Sequence, residues 1–148
     1  MYGHDILNNL RNWAIGWVDW NMALNEQGGP SWILNSADSP IIVNATADEF
    51  YKQPLYYFLT HFSRFVPRGS VRIVSQLDGF TNTSLAEDQQ LVESVAFATP
   101  EGAKVLVVLN RDRERMYQVV VKDPLMPDVV ARIQLPPSSV ATALWREK

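Results

Sequence analysis

Three tryptophans stand close together in residues 16–40 of this 148-residue chain, among two aspartates and three asparagines. An indole face can cover the apolar C–H face of a pyranose, while amide and carboxylate groups hydrogen-bond the hydroxyls at its edge. These residue types therefore indicate a sugar-binding site. The alternative, an aromatic strand and loop that only packs, stays open on composition alone.

Apolar spacing predicts the elements that position this segment. Helical spacing covers residues 2–15, and Gly16 stands where that helix would end. Aromatic and β-branched residues predict a strand over 17–22, followed by a loop over 25–31 that contains Gly28-Gly29-Pro30. Trp20 therefore lies in the predicted strand just before this loop, and Asn35 lies just after it.

A second helical region follows. Residues 46–49, Thr-Ala-Asp-Glu, match a capping box and predict a helix start, while Pro54 suits the first position of a new helix. An apolar stripe at Phe58, Phe62 and Phe65 indicates core packing. Pro67 and Gly69 break this pattern, and the domain boundary is predicted there.

The apolar period changes from helix to strand after Gly69. Six strands are predicted, at 71–77, 91–98, 104–109, 116–121, 129–135 and 140–145. Their regular spacing and the turn residues between them predict an antiparallel β-sandwich.

Six motifs follow one another along the chain: Gly-Trp-Val-Asp-Trp-Asn at 16–21, Asp-Ser-Pro-Ile-Ile-Val at 38–43, Phe-Tyr-Lys-Gln-Pro at 50–54, His-Phe-Ser-Arg-Phe at 61–65, Val-Leu-Val-Val-Leu-Asn-Arg at 105–111 and Leu-Trp-Arg at 144–146. In sequence and order, they resemble the glucosylceramidases of glycoside hydrolase family 30. The resemblance covers essentially the whole chain in order. It departs from the family in a longer loop at about 79–90 and at Leu34, where the family has a more basic residue.

The resemblance implies an α+β fragment of a longer enzyme. Residues 1–67 would be the last βα unit of a (β/α)8 TIM barrel, and residues 68–148 an antiparallel all-β, immunoglobulin-like sandwich. A whole barrel needs about 250 residues, more than this chain has.

The implied activity is hydrolysis of glucosylceramide to glucose and ceramide, with retention, in sphingolipid metabolism. A retaining glycosidase needs two carboxyl groups about 5 to 5.5 Å apart. The family's two glutamates are expected upstream of Met1, and no glutamate of this chain stands in a matching motif. We therefore assign no catalytic residue and expect the chain alone to be inactive.

Substrate-binding residues are implied by position. Trp20 matches a tryptophan that lines the glucose pocket, and Asn35 an asparagine at the pocket edge. Asp19 is a third candidate, although its carboxylate would also suit holding the strand end by hydrogen bonds. Trp32, Ile33 and Leu34 resemble the apolar loop at the entrance, where a ceramide chain would pass.

The implied partners are glucosylceramide or a related β-glucoside, lipid at a membrane surface and an activator protein. The implied location of the parent enzyme is lysosomal or secretory, and this chain carries no signal peptide of its own. Asn82 and Asn44 begin glycosylation sequons, which matter only on the secretory route.

Composition excludes other classes. With 47% hydrophobic and 20% charged residues the chain is an ordinary globular protein, and its net charge of −3 gives no basic footprint for nucleic acid. Without cysteine there is no thiol chemistry, and no cofactor or metal motif appears. His4 and His61 read as helix histidines with satisfied hydrogen bonds, and residues 111–115 as a solvated hairpin turn.

Two alternatives to a glycosidase portion remain. One is a non-catalytic carbohydrate-binding or accessory β-sandwich module. The other is a product without function, because a lone parallel strand and two helices leave apolar faces uncovered. The region 17–35 discriminates between the first alternative and the glycosidase, since a free-standing sandwich does not need it.

Overall fold

The computed structural model describes residues 2–79 and 90–147. Its elements in chain order are α1 Tyr2–Arg11, β1 Ala23–Asn25, β2 Ile41–Asn44, β3 Glu49–Lys52, α2 Pro54–Ser63, β4 Val71–Ile73, β5 Val92–Ala98, β6 Ala103–Asn110, β7 Tyr117–Lys122, β8 Val130–Leu135 and β9 Ser139–Arg146. No helix within these residues has the length and apolar character that crossing a bilayer requires.

The carboxyl half is an antiparallel sandwich. One sheet has four strands in the order β4-β5-β6-β9, and β7 pairs with β8 in a second sheet of two. All six predicted strands are present, although β4 ends at Ile73 rather than at residue 77. The turn between β5 and β6 needs Gly102, whose φ of 76° lies in the region that other residues avoid.

The four-stranded sheet has a core on each face. Alternate residues of β5 and β6, including Val95, Phe97 and Val107, pack against Ile6 and Leu7 of α1 and Phe62 of α2. Their neighbours face the hairpin of β7 and β8, in a second cluster that contains Val108 and Leu135. The molecule therefore has three layers, with the helices and the hairpin on opposite faces of the larger sheet.

Polar contacts also join the two sheets. Asp123, just after β7, accepts hydrogen bonds from Lys104 Nζ of β6 at 2.7 Å and from Trp145 Nε1 of β9 at 2.8 Å. The lysine contact, followed by the indole contact, lowers the pKa of Asp123 from 3.8 to about 2. The contacts of Asp123 therefore stabilise the fold most at pH values at which its carboxyl group is ionised.

The first helix and the predicted barrel strand differ from expectation. Helix α1 ends at Arg11 rather than at residue 15, and Trp13 has a φ of 71°, which no helix continues through. The strand predicted over 17–22 is wrong, because no ladder partner for it lies among the described residues. Pairing begins at β1, where Ala23–Asn25 runs parallel to β2.

The capping box predicted at 46–49 is also wrong, because residues 45–48 form the turn of a hairpin between β2 and β3 and Glu49 begins β3. Asn44 Oδ1 accepts the N–H of Ala47 at 3.1 Å, and Asp48 has a φ of 54°. Cross-strand pairing from Ile41 to Lys52 outweighs the local helix signal. Pro54 does occupy the start of α2, as predicted.

Candidate functional site

The predicted sugar-binding segment is fixed by a carboxylate that joins two parts of the chain. Asp19 accepts a hydrogen bond from the hydroxyl of Tyr2 on α1, and its Oδ1 accepts the backbone N–H of Trp20 at 2.8 Å. The Tyr2 ring also meets the Trp17 ring edge-on, with centroids 6.1 Å apart and planes at 90°. Burial and the Asp19 contact raise the pKa of Tyr2 to about 12, so this phenol stays a donor at neutral pH.

Trp20 combines a held backbone with a free side chain. Its side chain is 84% exposed, although its amide is bonded to Asp19. Two residues later, Met22 O accepts the N–H of Ile41 at 3.2 Å, which ties the segment to the start of the β1–β2 pairing. An exposed indole on an anchored backbone is a suitable platform for a flat apolar sugar face.

The loop after β1 is closed at its base. Asn25 Oδ1 accepts the N–H groups of Gln27 at 3.1 Å and Gly29 at 2.8 Å, and Ala37 N–H donates to Gly28 O at 3.1 Å. Gly28 has a φ of 77°, and a Cβ there would lie 2.5 Å from Ala37 O. Only glycine fits this crossing of the two loop arms.

The remaining predicted pocket residues lie on this loop. Trp32, Ile33 and Leu34 are 102%, 80% and 94% exposed, so they form an apolar tip. Asn35 is exposed, and its Oδ1 accepts the Ser31 hydroxyl. Within residues 2–79 and 90–147, no hydrogen bond or ring contact joins Asn35 to the Trp20 segment.

Glu93 is the buried glutamate of the described chain, with 1% of its side chain exposed. Both of its oxygens lie 2.8 Å from His4 Nδ1, and Oε1 lies 2.7 Å from Arg111 Nη1. It thus joins α1 to the ends of β5 and β6. The second helix histidine, His61, lies 2.8 Å from the Thr142 hydroxyl, so both histidines have the hydrogen bonds predicted for them.

The buried cluster of His4, Glu93 and Arg111 is not predicted from the sequence. Arg111 was predicted in a solvated turn, but its guanidinium reaches the interior carboxylate. A signal was present, because His4 lies one turn before the fully buried Leu7 and Glu93 stands in the apolar strand β5. Since two cationic or polar side chains occupy its oxygens, Glu93 serves the junction of helix and sheet rather than a cleft.

The two sequon asparagines remain to be placed, and Asn44 is half-buried. Asn44 Nδ2 donates to Glu26 at 3.2 Å, and Asn82 lies outside the described residues. In the part of the chain that the structure describes, no three side chains of His, Asp or Glu come together as a metal site would need.

Comparisons with known proteins place the chain in a family. Residues 1–66 match the family model of the glycosyl hydrolase family 30 TIM-barrel domain, and residues 69–143 that of the family's beta sandwich domain. The lysosomal acid glucosylceramidase of Mus musculus is 42% identical over 147 residues, which are 99% of this chain and 26% of the mouse protein. This chain therefore spans about a quarter of that relative's length, in its C-terminal portion.

Two solved structures share the fold. SrfJ from Salmonella typhimurium is 34% identical, with a TM-score of 0.86, over 99% of this chain and 30% of that one. The endo-β1,6-glucanase BT3312 is 22% identical, with a TM-score of 0.79 and the same coverage, and shows the fold alone. The predicted fold class, the end of a TIM barrel followed by a β-sandwich, is confirmed. The chain belongs to glycoside hydrolase family 30.

Proposed function

We propose that this chain acts as the C-terminal portion of a retaining β-glucosidase that cleaves glucosylceramide or a related β-glucoside. In this proposal, Trp20 and Asn35 contact the glucosyl unit, and the apolar tip of Trp32, Ile33 and Leu34 lies at the entrance. The two glutamates come from the part of the enzyme that this chain does not span. Residues 1–67 belong to the barrel and residues 68–148 to the sandwich.

The observation that carries the proposal is the state of Trp20. Its indole is 84% exposed on a hydrogen-bonded backbone, so the described residues leave its face free to contact a sugar. Its family match is to a tryptophan of the glucose pocket. Both carboxylate oxygens of Asp19 accept hydrogen bonds, one from the Tyr2 hydroxyl and one from the Trp20 amide. This favours a supporting role for Asp19 over direct sugar contact.

The exposed side chains around Trp20 support the proposal that the rest of a barrel packs against this segment. Four other large apolar side chains within the same ten residues are also exposed, namely Trp13, Ile15, Val18 and Met22 at 80%, 106%, 94% and 75%. A barrel would cover such a surface. The same proposal includes the partners and location implied by the family, namely membrane lipid, an activator protein and a lysosomal or secretory route.

A chimera tests this function. Residues 1–148 replace the matching C-terminal portion of mouse lysosomal acid glucosylceramidase, and hydrolysis of a fluorogenic β-glucoside is measured. We expect activity in the chimera and none in the 148-residue chain alone, because the chain has no glutamate in a catalytic motif. Turnover by the purified chain itself would contradict the proposal.

Trp20→Ala in the chimera gives the residue-level test. A sugar that covers about 60 Å² of the indole contributes about 1.5 kcal/mol at about 25 cal/mol per Å². We therefore expect kcat/KM to fall about tenfold, and Trp20→Phe to restore part of the loss. Trp13→Phe, which keeps a ring beside the Arg72 guanidinium that now lies 4.3 Å from the Trp13 centroid, is the matched control. Equal kinetics in Trp20→Ala and wild type would remove Trp20 from the pocket.

A further inference from the structure

We propose that Tyr2 is a positioning residue for Trp20, acting through Asp19, and that the β-sandwich anchors the helix that carries it. The proposal rests on the proposed function, in which Trp20 contacts the sugar. It assigns a role in substrate binding to a side chain that does not itself touch substrate.

The first step is the hydrogen-bond relay. Tyr2 donates its hydroxyl to one oxygen of Asp19, and the other oxygen accepts the Trp20 amide at 2.8 Å. A carboxylate held at both oxygens has little freedom to rotate, so the Trp20 backbone is held in one orientation. Tyr2 and Asp19 are 17 positions apart, so the relay closes a long loop.

The second step is how few other contacts hold this segment within residues 2–79 and 90–147. Residues 14–19 have no regular structure, and ladder pairing starts only at Ala23. Within the described part of this chain, the relay therefore orients the Trp20 backbone where no ladder of backbone hydrogen bonds reaches it. The edge-on contact between the rings of Tyr2 and Trp17 fixes the same segment at a second point.

The third step is the rigidity of Tyr2. Its helix is held by Ile6 and Leu7, both 0% exposed, and by the contact of His4 with the buried Glu93. Gly3 lies so close to α2 that a Cβ there would be 2.6 Å from Phe58 Cδ1. The helix that carries the Tyr2 phenol is therefore packed against α2 and β5, which restricts the position of the hydroxyl.

The first experiment uses the 148-residue chain. Tyr2→Phe removes only the hydroxyl and keeps the ring against Trp17. We expect the Trp20 amide to exchange about fivefold faster with deuterium, the effect of losing about one hydrogen bond, while the amide of Leu7 in α1 is unchanged. Tyr51→Phe is the matched control, since that hydroxyl also binds a carboxylate, Glu49, but on the β2–β3 hairpin. An unchanged Trp20 amide in Tyr2→Phe would overturn the relay.

The second experiment is kinetic and separates positioning from folding. In the chimera, Tyr2→Phe should raise KM several-fold with little change in kcat, whereas a loss of folded enzyme would lower apparent kcat and leave KM unchanged. In a background that already carries Trp20→Ala, Tyr2→Phe should have no further effect on KM.

The outcomes distinguish the two proposals. If Trp20→Ala raises KM but Tyr2→Phe does not, the positioning role is wrong and the proposed function stands. If Trp20→Ala leaves the kinetics unchanged, the proposed function is wrong, and the amide exchange of Trp20 then decides whether the relay exists.

Discussion

Glu93→Gln should destabilise the chain more than any charge change on its surface. The substitution keeps the shape of a side chain that is 1% exposed, but removes the negative charge facing His4 and Arg111. Breaking a fully buried ion pair costs about 3 to 5 kcal/mol. His4 and Arg111 are 16% and 25% exposed and water screens them in part, so we expect a loss of about 2 to 3 kcal/mol.

The assay is urea unfolding at pH 7, followed by far-ultraviolet circular dichroism. The midpoint should fall while the slope with urea stays constant, because the surface exposed on unfolding is unchanged. In thermal unfolding, the same loss corresponds to a fall in Tm of about 5 to 10 °C.

Glu101→Gln is the matched control. Glu101 also pairs with an arginine, Arg146, at 3.2 Å, but the two side chains are 75% and 60% exposed. Its removal should change the free energy of unfolding by less than about 0.5 kcal/mol. If Glu93→Gln is no more costly than Glu101→Gln, the reasoning about the helix–sheet junction is refuted.

Two further predictions concern the fold. Gly3→Ala should destabilise by about 1 to 3 kcal/mol through collision with Phe58, whereas Gly16→Ala, with nothing within 4 Å, should not, and chemical unfolding of both variants checks this. The pKa of Asp123 is lowered from its ordinary value of 3.8 to about 2 in the folded chain, so the unfolded state takes up the proton first as the pH falls. The stabilisation from Asp123 is complete above about pH 5 and is lost as the pH falls towards 2. Asp123→Asn should remove this contribution from the acid limb of the plot of unfolding free energy against pH. An acid limb that is identical in the variant would contradict that assignment.

The sandwich could be predicted because its signals are local. In β5 and β6, apolar residues face both cores, and Gly102 marks the turn between them. Such patterns state where strands begin and end without knowledge of the rest of the chain. The position of Pro54 at the start of α2 was readable for the same reason.

The amino half was harder because tertiary pairing decides it. The capping box that begins at Thr46 is a valid helix signal. However, β2 and β3 on either side of it pair with each other, so the segment between them becomes a hairpin turn. The predicted strand over 17–22 has the right side chains, but β-structure needs a partner strand and none is described there. Local propensity is a weak guide where ladder partners differ from expectation.

The residue types of the candidate site could be predicted, but the contacts that hold those residues in place could not. Trp20 and Asn35 came from motif order, and whether they meet one sugar stays a prediction. The relay through Tyr2 and Asp19 could not be read from sequence, because it joins residues 17 positions apart. The Glu93 cluster joins still more distant positions, with His4 and Glu93 89 apart.

The most direct test of the central claim is a crystal structure of the chimera with a glucose-configured iminosugar bound. The account predicts that the Trp20 indole lies against the C–H face of the ring, about 4 Å away, and that Asn35 hydrogen-bonds a ring hydroxyl. A sugar bound in the barrel with neither residue in contact would contradict it.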